Sequence, residues 1–351
     1  MSAYLTEHLS HMIALSHFSG LVIVDVTMEE TLEALVRMAQ SHQATDIHFV
    51  RDRNRLEVSL RQNERIVPVR QDIWQGDLFE YLKFRADMDL TKPRQPQSGT
   101  LVIHDVACRF AVLPNGGRDT GVLRLMNASR ELSIDELSED TEITGFFHEI
   151  ARWRHGLVLF VGPTGAGKTT TLHAILREAS LLYGHKCVSL EDPIEIPDDS
   201  YIQLQVDTKR GLDHERGIEE LMRHDPDVIC IGETRSPSVC RKMFTASLTG
   251  HFTLSTIHAS DGKECIFRLL DMGIQADQIR EQLSAVVAQR IYEMEKGGRI
   301  CIHEIITKKA IEQILKTGQY PDDMQRLADK VWRAVEEGIV SELQAQGDFP
   351  R

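Results

Sequence analysis

Gly162-Pro163-Thr164-Gly165-Ala166-Gly167-Lys168-Thr169 fits the pattern G-x-x-x-x-G-K-[ST], and the apolar run before it, Leu157 to Val161, reads as a buried strand. A strand that empties into such a turn aims successive backbone N–H groups at one point, which suits a phosphate. Lys168 then reaches the β- and γ-phosphates, and Thr169 offers its hydroxyl to Mg²⁺. A helix is predicted to begin at the cradle, so Thr170 falls in its first turn and its N-terminal dipole faces the phosphates. The stretch therefore predicts nucleoside triphosphate binding, against the plainer reading of a glycine-rich turn.

Two acidic strand ends accompany the cradle. Glu191-Asp192-Pro193-Ile194-Glu195 follows the run Val188 to Leu190, at the edge of a parallel sheet where ligands bind. Glu191 is the candidate to help hold Mg²⁺ through water or to polarise the attacking water, with Asp192 beside it at the nucleotide; a solvated acidic loop is the competing reading. Asp227-Val228-Ile229-Cys230-Ile231-Gly232-Glu233 is a second apolar strand. Many P-loop enzymes end this strand in two acids. Here the first place is Gly232, which leaves Glu233 to orient and deprotonate water.

The 351 residues suggest about two domains, and 42% hydrophobic content fills two cores. A net charge of −13 disfavours a broad nucleic-acid surface, so no direct nucleic-acid partner is expected. Cys108, Cys187, Cys230, Cys240, Cys265 and Cys301 show no C-x-x-C pair, which fits reduced thiols in the cytoplasm. Met1 to Gly20 lacks a basic n-region and a continuous apolar core, and no stretch has eighteen consecutive apolar residues. Residues 28 to 41 carry Leu32, Leu35, Val36 and Met38 at helical spacing. Strand patterns follow at Asp46 to Val50, Arg55 to Leu60, Arg65 to Val69, Thr100 to His104, Ala107 to Leu113 and Val122 to Met126, with turns at Arg51 to Asn54 and Gln62 to Glu64. This reads as an α+β domain over 1–130, followed by an acidic connector over 131–147. Beyond it, runs at Leu157 to Val161, Cys187 to Leu190, Val228 to Ile231 and Phe252 to Ile257 alternate with helical patterns, which predicts an α/β domain over 148–351 with parallel strands.

Four blocks, GPTGAGKTTTLHAIL, SLEDPIE, RHDPDVICIGETR and SLTGHFTLSTIHASDGKECIFRLLDMGI, stand in the order of the Walker A, Asp box, Walker B and His box. Together they resemble the secretion ATPases of the type II secretion and type IV pilus superfamily. ATDIHFV, RQPQSG and CRFAVLPNGGRDTGVLRLMN extend the likeness upstream, and VVAQRIYE and GGRICIHEII extend it downstream. The short N-terminal region resembles the competence-pilus assembly ATPases of Gram-positive bacteria.

The resemblance implies a PAS-like N-terminal domain, then a RecA-like P-loop domain with a mainly parallel sheet and C-terminal helices. It gives His258 either a contact with the γ-phosphate or the role of reporting its loss, and His251 a bridge toward a neighbouring domain or subunit. It brings Arg94, Arg109 and Arg124, with Arg61 in the strand after DIHFV, toward the phosphates. It implies a Mg²⁺-dependent homohexameric ATPase on the inner face of the cell membrane. Its partners would be a polytopic platform protein and, through it, pilin-like subunits of a competence pilus or a type II secretion pseudopilus. Gln289 to Arg299 lacks the four-cysteine module of secretion-type relatives, so no zinc is expected. Thr234-Arg235-Ser236-Pro237 departs from the family's Ile-Arg-Asp triplet. Two other classes compete: an ATP-binding regulator or scaffold with little hydrolysis, and a DNA-translocating ATPase, which the acidic charge and His box disfavour.

Overall fold

The computed structural model describes residues 27–52, 55–62, 65–69, 76–126 and 132–351. The reading of Met1 to Gly20, parts of the two short turns and the start of the connector lie outside the described residues. The chain divides into two compact units, Met1–Ala128 and Ser129–Arg351.

In the first unit, helix α1 (Met28–Ser41) opens on a capping box. Thr27 Oγ1 accepts from Glu30 N at 3.2 Å, and Glu30 Oε2 accepts from Thr27 N at 2.8 Å. Six antiparallel strands follow: β1 (Asp46–Asp52), β2 (Arg55–Gln62), β3 (Arg65–Val69), β4 (Gln97–Ile103), β5 (Val106–Leu113) and β6 (Arg118–Met126), in spatial order β3-β2-β1-β6-β5-β4. Alternation puts Ile47, Phe49, Phe110 and Leu123 on one face, where they pack with α1 and with α2 (Gly76–Arg85). Phe49, Phe79 and Phe110 meet edge to face with centroids 5.6 to 6.5 Å apart. Gly121 admits this cluster, since a Cβ there would lie 2.7 Å from the Phe110 ring. Helix α2 was not anticipated, because Leu78, Phe79 and Leu82 are few among its charged neighbours.

The second unit is built on a seven-stranded sheet. Its strands are β7 (Gly156–Val161), β8 (Cys187–Glu191), β9 (Ile202–Gln205), β10 (Val228–Ile231), β11 (Phe252–Ile257), β12 (Leu283–Glu293) and β13 (Arg299–Thr307), in order β13-β12-β7-β11-β10-β8-β9. All neighbours pair in parallel except β12 and β13. Both faces are covered. Val158 and Phe160 enter the core beneath α3 (Thr141–Ile150) and α4 (Lys168–Tyr183). Leu157, Leu159 and Val161 enter the opposite core with α5 (His214–Met222), α6 (Pro237–Leu248) and α7 (Gly262–Asp271). Burial on both sides explains why these strands read as continuous apolar runs. Helices α8 (Ala276–Gln282), α9 (Lys308–Thr317), α10 (Leu327–Glu336) and α11 (Glu342–Asp348) complete the unit.

The acidic stretch expected to be a connector carries a 3₁₀ turn at Ile134–Glu136 and then α3. Ile134, Ile143 and Phe147 are buried in the core of the second unit, so sparse apolar residues at the right spacing are enough to dock it. His148 fastens this edge. Its Nε2 lies 3.0 Å from Asp135, and its Nδ1 lies 2.8 Å from Glu178 on α4. The Asp135 hydrogen bond, then that of Glu178, holds the imidazole above its ordinary value of 6.5. A raised folded-state pKa stabilises below the unfolded value, and the contribution is lost as pH rises through the folded one. The melting temperature should therefore fall as pH rises above about 6.5 in wild type, and less so in His148→Leu. Parallel melting curves for the two proteins would reject this clamp.

Candidate active site

The loop after β7 turns back on itself with Gly162 at φ +152° and Gly167 at φ +82°. Neither position accepts a side chain. A Cβ on Gly162 would lie 2.5 Å from Gln289 O, and one on Gly167 would lie 2.8 Å from Ile291 Cδ1. Strand β12 thus walls the loop from behind. Gln289, fully buried, donates from Nε2 to Ala166 O at 2.5 Å. Arg290 donates to Gln289 O at 3.0 Å and to Ser260 O at 2.7 Å, and it pairs with Asp348 at 3.5 Å. Pro163, Thr164 and Gly165 form the exposed rim. Lys168 Nζ donates to Gly162 O at 2.8 Å and Pro163 O at 2.9 Å, so the ammonium spans the mouth. Burial pushes Lys168 below its ordinary range, while Glu233 pulls the other way. Thr169 and Thr170 follow in the first turn of α4, whose first N–H groups have no intrahelical acceptors.

Glu233 stands at the end of β10. Its Oε2 accepts from Arg235 at 2.6 Å, and its Oε1 lies 2.8 Å from His258 Nε2. The second is a close contact without hydrogen-bond geometry, so Oε1 has no hydrogen-bond partner among the described residues. Partial burial raises the carboxyl pKa, but Arg235, His258 and Lys168 outweigh it and hold Glu233 below the usual range. Thr234 is locked by Ser255 Oγ at 2.9 Å, and Thr256 Oγ1 donates to Gly232 O at 2.7 Å. The strand ends that carry Glu233 and His258 are therefore tied together.

Gly232 stands where a second strand-end acid would, close against β8. A Cβ there would lie 3.1 Å from Leu190 O on β8. The neighbouring strand end supplies the acid instead. Glu191 is buried, and Oε1 accepts from Ser189 Oγ at 2.6 Å and Gln203 Nε2 at 3.0 Å, with His173 Nε2 at 3.6 Å from Oε2. Burial drives this carboxyl upward, and His173, Ser189 and Gln203 more than offset it, so Glu191 stays ionised. Glu191 and Thr169 line one small cavity, with room for about one water. That arrangement fits a carboxylate acting on a cation through water. The described residues contain no cluster of three or more His, Cys, Asp or Glu able to hold a metal unaided. Asp192 is exposed beside it and acts electrostatically on Arg235.

Not every candidate meets at this edge. His251 immediately precedes β11, six residues long, and His258 follows it, so about 23 Å separates the two. There its Nδ1 lies 3.0 Å from Ala246 O and 3.0 Å from Thr249 Oγ1, which closes the end of α6. Within one chain His251 is away from the cradle. The arginines belong to the first unit. Strand register puts Arg61, Asp46, Arg124 and Arg109 side by side across β2, β1, β6 and β5. Arg124 Nε donates to Asp46 at 2.9 Å, and Arg61 Nε lies 3.9 Å from the same carboxylate. Arg109 is exposed, as is Arg94, in the turn before β4. Sequence reasoning did not single out Gln289, Arg235, His173, Ser189, Gln203 or Tyr201. A polar Gln-Arg pair breaking the run Leu283 to Ala288 was the available signal for the first.

All six cysteines are free thiols, five of them buried. Among the described residues, no helix is long and apolar enough to cross a membrane.

Residues 24–296 match the family model described as type II/IV secretion system protein. Competence protein ComGA of Bacillus subtilis is 33% identical over 276 residues, 76% of this chain and 77% of that protein. Type II secretion system protein E of Pseudomonas aeruginosa is 32% identical over 276 residues, 76% of this chain and 54% of that protein. The crystal structure of the pilus retraction motor PilT with bound ADP has a TM-score of 0.74 at 20% identity, covering 91% of this chain and 97% of that one, a likeness of fold. With its phosphate loop, two acidic strand ends and His258 on one sheet edge, this chain belongs to the type II/IV secretion system protein family.

Proposed function

We propose that the protein is a motor that couples Mg-ATP hydrolysis to assembly of a competence-type pilus or a type II secretion pseudopilus. The chain is an ATPase of the secretion and pilus class, and the observation that carries the reading is the convergence of Lys168, Glu233 and His258 at the phosphate loop. Gly162 to Thr169 and Thr170 hold the phosphates. Glu233, kept ionised, accepts the proton of the attacking water as His258 and Arg235 fix its direction. Thr169 and Glu191 would hold Mg²⁺, Glu191 through water. The cation, when bound, neutralises charge on the phosphate oxygens.

The working form is a homohexamer, in which His251 and the arginines Arg61, Arg94, Arg109 and Arg124 serve at junctions between domains or subunits. The ring works in the cytoplasm on a polytopic platform protein at the inner face of the membrane, and through it on pilin-like subunits. Arginines that reach phosphates only in the assembled ring make turnover depend on assembly. Phosphate release per protomer should therefore rise with protein concentration, in step with the appearance of a six-fold particle in sedimentation. Constant specific activity across the monomer-to-oligomer transition would reject the ring as the active form.

A further inference from the structure

From the cavity lined by Thr169, His173 and Glu191 a buried polar chain runs to the edge of the sheet. Tyr201, 8% exposed, precedes β9, and its hydroxyl meets His173 Nδ1. His173, also 8% exposed, projects from α4, the helix that begins at the phosphate loop. Its other nitrogen faces Glu191 at 3.6 Å, within ion-pair range and just beyond hydrogen-bonding distance. Gln203 on β9 joins the two ends, donating to Glu191 Oε1 at 3.0 Å and lying 3.5 Å from the Tyr201 hydroxyl. With Nε2 facing the Glu191 carboxylate and Nδ1 meeting the Tyr201 hydroxyl, a ring that carries its proton on Nε2 and accepts from Tyr201 on Nδ1 suits both neighbours. Burial pushes the Tyr201 phenol upward, so it remains a donor.

A surface acid would need no such support. A buried carboxylate with an unfilled second oxygen is costly, and its orientation is set by what fills it. His173 belongs to the same helix as Thr169, one turn on, so it ties the acid of β8 to the helix that carries the hydroxyl. We infer that His173 is a positioning residue that aims Glu191 at the cation shared with Thr169, and that Tyr201 fixes the His173 ring. This rests on the reading of Thr169 and Glu191 as the Mg²⁺ pair.

The test is binding of a fluorescent ATP analogue to the full chain with and without Mg²⁺, which needs no turnover. In wild type, Mg²⁺ should tighten binding. In His173→Leu that gain should shrink by about 10-fold or more, the usual cost of losing a partner behind a metal ligand, while affinity in EDTA stays unchanged. His173→Gln, whose amide N–H stands near the position of Nε2, should recover most of it. Tyr201→Phe leaves the His173–Glu191 contact in place and should show a smaller loss in the same direction. Melting curves identify any variant that fails to fold, and the Gln and Phe variants then carry the test. An unaltered Mg²⁺ gain in a folded Leu variant, or equal losses in Leu and Gln variants, overturns the role of His173. No Mg²⁺ gain in wild type overturns the Mg²⁺ pair itself, a result separable from the first because it appears before any substitution.

Discussion

Glu233→Gln is expected to lower ATP hydrolysis by about 10²- to 10⁴-fold, the usual contribution of a positioned general base. The amide keeps the volume of the side chain, and its oxygen can still accept from Arg235, which holds the carboxylate at 2.6 Å. What it cannot do is take a proton. Because Arg235, His258 and Lys168 hold the carboxyl below its ordinary pKa, the wild-type group is a ready acceptor at neutral pH. Binding should persist, since Lys168 and the loop N–H groups are untouched. Phosphate release measured beside analogue binding separates the two effects. A variant that turns over within about threefold of wild type would remove Glu233 from the chemistry. In cells the same substitution should block filament assembly, and normal filaments would count equally against the assignment.

The second large effect is expected at Lys168. Replacing it with Ala removes a cation from the mouth of the loop, and a charged hydrogen bond is worth about 1.5–3 kcal/mol, or roughly 10- to 150-fold in affinity. Turnover should fall with binding, in contrast to Glu233→Gln. The fold should hold, because only two carbonyls lose a partner, Pro163 O on the exposed rim and Gly162 O just inside it, and removing the ammonium opens both to water. Lys168→Arg is not a conservative rescue, since the planar fork is wider than the ammonium that fits between those carbonyls. An Ala variant that binds the analogue as wild type does would show that the loop N–H groups suffice.

The fold was legible where burial writes a simple pattern. Strands β7, β8, β10 and β11 are covered on both faces and announce themselves as apolar runs. Strand β9, four residues and half-exposed, gives no such run, and in β12 the Gln289-Arg290 pair interrupts one. The cradle and the two acids were legible because their chemistry lies in consecutive residues. Gln289 acts on Ala166 across 123 positions, and Tyr201 meets His173 across 28. No local window contains such contacts. Arg235 was in view but was weighed as a departure from a motif, whereas its use is to hold Glu233. His251 and His258 flank one extended strand, so the sequence already separates them: β11 sends them to opposite edges of the sheet.

The strand order has a consequence for how the molecule is made. Strand β7, which leads into the phosphate loop, has β11 and β12 as neighbours, so its partners are Phe252 to Ile257 and Leu283 to Ala288. During synthesis the loop residues leave the ribosome well before the strand that walls them and the amide that holds Ala166 O. Pairing over such separations carries a loop-closure cost and comes late in folding. The nascent chain therefore carries an unfinished phosphate loop until β12 has docked. Competence to hold nucleotide arrives as one of the last steps of folding, and a chain stalled before Gln289 has emerged should be unable to load.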